Sequence, residues 1–190
     1  MKKRIREYGL IIGSYRTGKL NKITDVPGVA VGHWTADTKE HKTGVTVILP
    51  SRENIFVNKL TAAAFVHNGF GKTTGILQIE ELGTLESPIA LTNTLNVGRV
   101  QDALVDYVVE LTEREGGKAS SINTVVGECN DASLNKITER VIGREQVRAA
   151  IDAACADFEE GDVGAGKGTT CFGMKGGIGS ASRILTIGEE

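Results

Sequence analysis

Charge imbalance, paired cysteines and long apolar runs are what this sequence has least of. Twenty-two Lys and Arg stand against 24 Asp and Glu, a formal net charge of −2. No large basic face follows from that balance, which argues against nucleic-acid or other polyanion partners. Three cysteines occur, Cys129, Cys155 and Cys171, odd in number and widely spaced, with neither a CxxC pair nor a zinc-type spacing. They read as buried, reduced thiols of a cytoplasmic protein without metal or cofactor. No stretch approaches the roughly 18 apolar residues of a membrane span. The run Leu10-Ile11-Ile12 behind a basic start is too short for the apolar core of a signal peptide, so no membrane partner is expected. Proline occurs three times and aromatic residues make up 5%.

What the sequence does have is 24 glycines and 40% apolar residues, the composition of a tightly turned globule. Its length fits one domain with a core large enough to stand without staples. "GVAVGHW" (28–34) and "GVTVILP" (44–50) alternate and are β-branched, as strands are. "KLTAAAFVHNG" (59–69) starts with helix formers and ends in β-branched and turn residues, and is ambiguous. A short helix is predicted over 75–83, a buried strand over 87–94 and another over 122–129, the two strands ending in polar residues. The clearest helix covers 97–115, with Val97, Val100, Leu104, Val108 and Leu111 on one face and Gly116-Gly117 as its stop. A second amphipathic helix is predicted over 144–158 through Val147, Ile151, Ala154 and Phe158, and a last strand over 182–187. Interleaved strands and helices make the class α/β or α+β.

Two glycine stretches resemble half of a phosphate loop. "GDVGAGKG" (161–168) has the GxxxxGK skeleton, but Gly168 stands where a Ser or Thr would hold the metal, and the stretch follows a helix. "GKT" at 71–73 lacks its first glycine, because that place is Val66. Glycines that let backbone turn and approach backbone explain both better. His33, His41 and His67 lie apart, without metal-ligand spacing. No GxSxG nucleophile elbow occurs. Cys129 is followed by Asn130 and preceded by Glu128, and an adjacent carboxylate raises a thiol's pKa, the wrong direction for a nucleophile. The polar strand ends "TNT" (92–94) and "ECND" (128–131) are more telling, because ligands of layered α/β folds bind at carboxyl ends of strands. Glu128 and Asp131 could hold a cationic amine, and Asn93 and Asn130 could donate to a carbonyl oxygen as its charge grows. Equally, the Asn and Asp residues could cap helices starting near 96 and 132.

The segments "NKITDVPGVAVGH" (21–33), "KTGVTVILP" (42–50), "TNTLNVG" (92–98), "GECNDASLN" (127–135) and "VGAGKGTTCFGMKGGIGSASR" (163–183), in that order, resemble the self-processing aminopeptidases of the DmpA type. The resemblance implies a four-layer αββα sandwich like that of N-terminal-nucleophile hydrolases. It also implies a precursor that cuts itself at a Gly-Ser bond, whose freed serine removes N-terminal residues from small peptides, amides or esters. By the same resemblance Glu128 grips the substrate's free amine, Asn130 stands where some members place an oxyanion-binding tyrosine, and Asn93 lies near the cleft. Gly179-Ser180 sits in the family's GGIG corner and is not the bond that is cut. The family's cleaved serine lies several dozen residues beyond the Arg183 position. The stretch 1–190 is thus expected to be one domain, incomplete alone, completed by a smaller chain beginning with Ser, and assembled into a larger homo-oligomer. The alternative is an inactive truncation or assembly subunit of the same fold.

Overall fold

The computed structural model describes residues 3–186 and 188. In chain order the elements are β1 (Ala30–Asp37), β2 (Lys42–Leu49), β3 (Leu60–Thr61), α1 (Ile76–Leu82), β4 (Thr84–Leu85), β5 (Ile89–Thr92), α2 (Val97–Arg114), β6 (Val125–Glu128), α3 (Arg144–Asp152), β7 (Thr170–Cys171) and β8 (Met174–Lys175). The main sheet runs β1-β2-β5-β6, antiparallel at the first two contacts and parallel between β5 and β6. A parallel pair needs a crossover, and α2 supplies it.

Period-two alternation decides which face of the sheet is core. Val45, Val47, Ala90 and Val126 point to one side, where Val100 and Leu104 of α2 and Val147 and Ala150 of α3 close over them. Val45, Val47, Ala90, Val100, Leu104 and Val126 have no exposed surface, and burial of each of these valine and leucine side chains is worth about 1.5–3 kcal/mol. On the opposite face Ile48, Ile89 and Leu91 stay half-buried among the described residues. Ile55, Ile79, Leu85 and Val125 form a second, smaller cluster. Of the four layers the resemblance implies, the described residues thus supply one helical layer and one main sheet.

Most elements lie where periodicity put them, with shifted ends. β1 runs on to Asp37 and β2 begins at Lys42, because Thr38 and His41 close the hairpin between them. α2 ends at Arg114, and the Gly116 N–H (φ +81°) bonds back to the Glu113 carbonyl at 2.9 Å. The ambiguous stretch 59–69 forms only the two-residue β3 and then an extended segment. Three expectations are corrected. α3 stops at Asp152, not 158, because Cys155 turns back to pair with Val31 of β1 in both directions. Phe158 is buried all the same, under the Lys22 ammonium. No strand forms over residues 182–186 of the expected 182–187 strand; Ile187 lies outside the described residues. There Ser182 and Arg183 spend their hydrogen bonds on the N-terminal segment, through Asp25, Asn21 and the Ile12 carbonyl. The cysteines are free but exposed, not buried. No described helix is long and apolar enough to cross a membrane.

Candidate active site

β5 and β6 end side by side, so their carboxyl ends bring the two polar motifs together. Glu128 is the last residue of β6 and is half-buried. Its Oε2 accepts a hydrogen bond from the Thr94 hydroxyl, and its Oε1 lies 3.4 Å from the Lys72 backbone N–H. Beyond it the chain turns outward. Asn130 is exposed, its side-chain oxygen accepting from the Ala132 N–H at 3.0 Å.

Asn93 and Asp131 go the other way, into the protein. Asn93 is 2% exposed; its oxygen caps the turn at the Asn96 N–H (3.1 Å) and its amide donates to the Thr43 hydroxyl (3.0 Å). Asp131, 1% exposed, accepts from Thr43 at 2.5 Å and from the Asn135 amide at 2.9 Å. The Asn135 oxygen meets His41 Nδ1 at 3.2 Å, and His41 Nε2 pairs with Glu139 at the surface. A continuous polar chain therefore braces β2 against the loop after β6. For Asn93 and Asp131 the bracing and capping account is the one the geometry supports; Asp131 is almost fully buried, with a hydrogen bond on each carboxylate oxygen, and presents no open surface to a ligand's amine. Thr43, Asn135 and Thr94 were missed as site components, since a lone Thr or Asn carries no signal until the strand ends are adjacent in space.

A hollow of about 220 Å³ opens beside Glu128 and Cys129. Its floor is Leu91 and Thr92, and its walls are the glycine loop at Ala165-Gly166 and the GGIG corner at Gly177-Ile178. The two walls are zipped by Gly161 and Ile178, which exchange hydrogen bonds of 2.7 and 2.8 Å. Ser180, past the corner, accepts from the Ile23 N–H at 2.7 Å, so its oxygen serves as a strut to the N-terminal segment. His33 is also a strut: Nε2 donates to the Glu159 carbonyl at 3.0 Å and Nδ1 accepts from Thr46 at 2.9 Å. Burial pushes this imidazole below its usual pKa, against the opposing pull of the Glu159 carbonyl, and favours the neutral ring that the pairing needs.

Lys167 clamps the glycine loop to β1, with its ammonium 2.6 Å from Asp37 and 2.8 Å from Asp162. Its hydrogen bond, followed by that of Lys42, holds the Asp37 carboxyl down to about 2 from 3.8. A depressed folded value makes this contribution complete above about 3.8 and lost as pH falls toward 2. Asp37→Asn is therefore expected to flatten the stability–pH curve in that window, measured by urea unfolding at low ionic strength. High salt should shrink the difference, because the Asp37 side of the pair is exposed to solvent.

Glu40, His41 and Glu139 lie close enough together to suggest a metal. Lys136 already pairs with Glu40 at 2.7 Å and approaches Glu139 at 3.9 Å, and both imidazole nitrogens are engaged, so an ion network accounts for the cluster.

A glutamate at a strand end stands beside a hollow walled by glycine loops, and comparison with known proteins gives the chain a family. The model of peptidase family S58 matches residues 21–190, so the chain belongs to that family. β-Peptidyl aminopeptidase BapA from Sphingosinicella xenopeptidilytica is 37% identical over 182 residues, which is 90% of this chain and 45% of that protein. The crystal structure of the PH0078 protein from Pyrococcus horikoshii OT3 superposes with a TM-score of 0.92 at 49% identity, covering 97% of this chain and 55% of that one. The L-aminopeptidase D-Ala-esterase/amidase from Ochrobactrum anthropi, described as a serine aminopeptidase with a variant of the Ntn-hydrolase fold, gives 0.89 at 34% identity, covering 98% and 54%. The fold of this chain is that Ntn-hydrolase variant. The chain spans about half the length of the relatives it matches.

Proposed function

We propose that this chain is the larger-chain part of an aminopeptidase that releases N-terminal residues from small peptides, amides or esters. The nucleophile is an N-terminal serine, generated by self-cleavage, on a segment outside residues 1–190. The observation that carries the reading is Glu128, a carboxylate at the mouth of the hollow with one oxygen anchored and the other turned toward the Gly71–Lys72 backbone. Such a group pairs with a free ammonium and leaves an amine-blocked substrate without a partner, which is the selectivity of an exopeptidase. Membership of family S58 supports the same reaction class.

In this reading the new terminal amine, whose reference pKa is about 7.7–8.0, takes the proton from the serine hydroxyl as the oxygen attacks the scissile carbonyl. The proton then passes to the departing amine, and water releases the acyl group by the same route. Asn130, exposed two residues beyond Glu128, keeps its side-chain amide for donation to the oxyanion in this reading. Coexpression with the serine-initiated segment is expected to give hydrolysis of alanine p-nitroanilide. A correctly folded, assembled protein without any such activity would leave an assembly role in place of an enzyme.

A further inference from the structure

We propose that Thr94 is a positioning residue for Glu128, fixing which carboxylate oxygen meets the substrate's ammonium; this rests on the reading of Glu128 just given. Thr94 opens the 3-10 turn Thr94–Asn96, between β5 and α2. That turn cannot swing freely. Asn93 before it is buried and tied to Asn96 on one side and to Thr43 on the other. The Thr94 hydroxyl is therefore presented from a fixed backbone, and it donates to Oε2 of Glu128. A carboxylate has about four lone-pair sites, and a charge-assisted bond to one oxygen stops the group rotating. Among the described residues, Oε1 keeps only the long approach of the Lys72 N–H, at 3.4 Å, and is the oxygen with capacity for an ammonium.

Thr94→Val keeps the branched shape and removes the donor, whereas Thr94→Ser keeps the donor and removes the methyl. The assembled enzyme is assayed with alanine p-nitroanilide and with the propionyl analogue, which has the same outline but no amine. With Thr94→Val, KM for the alanine compound is expected to rise roughly tenfold while kcat changes little, the pattern of a lost binding interaction. The propionyl compound should show no such change, and Thr94→Ser should lie within about twofold of the unsubstituted enzyme. Thr94→Ala carries the same expectation if the valine variant folds poorly. Equal losses on both substrates, no loss on either, or a serine variant as impaired as valine would overturn the assignment. If the unsubstituted enzyme hydrolyses both compounds equally well, the Glu128 reading itself is wrong and the role of Thr94 falls with it. The two failures are told apart by the unsubstituted enzyme alone.

Discussion

Glu128→Ala is expected to lower kcat/KM for alanine p-nitroanilide by about a hundredfold and to leave the amine-free propionyl analogue within a few-fold of the unsubstituted enzyme. The magnitude follows from removing one partner of a partly desolvated charge pair, which costs roughly 2–5 kcal/mol, about 1.4 kcal/mol being tenfold. Glu128 is half-buried at the end of β6 and faces the hollow, so water screens it less than a surface carboxylate. Glu128→Gln sharpens the test. The amide oxygen can still accept from Thr94, so the local geometry survives while the charge is gone. A glutamine variant as impaired as alanine would show that charge matters here, and near-normal activity would show that hydrogen bonding suffices. Steady-state kinetics on the two substrates, with melting temperatures to confirm folding, makes the measurement.

The second large effect is structural. Gly168→Ser is expected to destabilise the fold by about 3 kcal/mol or more, read as a lower urea midpoint at unchanged slope. A Cβ at this position would run into the Lys42 backbone carbonyl and sit 2.6 Å from the Asp131 Cβ. Neither neighbour can give way cheaply. Lys42 is held in register with Asp37 in the β1–β2 hairpin, and Asp131 is pinned by Thr43 and Asn135. The substitution would complete the written phosphate-loop pattern, yet the expected gain in nucleotide affinity is nil, because the glycine is there to let two backbones touch. A stable Gly168→Ser protein would contradict this packing account.

That glycine shows how far the sequence could be read. Periodicity was enough for the core: Val97, Val100, Leu104 and Val108 are buried on one face of α2, and Val147, Ile151, Ala154 and Phe158 are all buried. It could not tell a helix from a turn that buries the same side chains, so the end of α3 at Asp152 was hidden by Ala154 and Phe158. Competition between tertiary pairing and local propensity decided the point, through the Cys155–Val31 bridge. Strand-end polarity flagged Glu128, Asn93, Asn130 and Asp131 together, but their directions differ. Asp131 turns inward to Thr43, which lies 88 residues away in the chain. Long-range partners of that kind leave no local spacing to read. The same is true of Thr94, quoted within "TNT" but given its meaning only by the parallel pairing of β5 with β6. The exposure of all three cysteines was likewise invisible to composition.

The central claim is that residues 1–190 wall a cleft whose reactive hydroxyl comes from a different segment. The most direct test is to treat the active, assembled protein with a serine-directed sulfonyl fluoride and map the adduct by peptide mass spectrometry. The account predicts a single modified serine at the amino terminus of the accompanying segment, with activity lost in proportion. An adduct on Ser180, or on any other serine within residues 1–190, that tracks the loss of activity would contradict it.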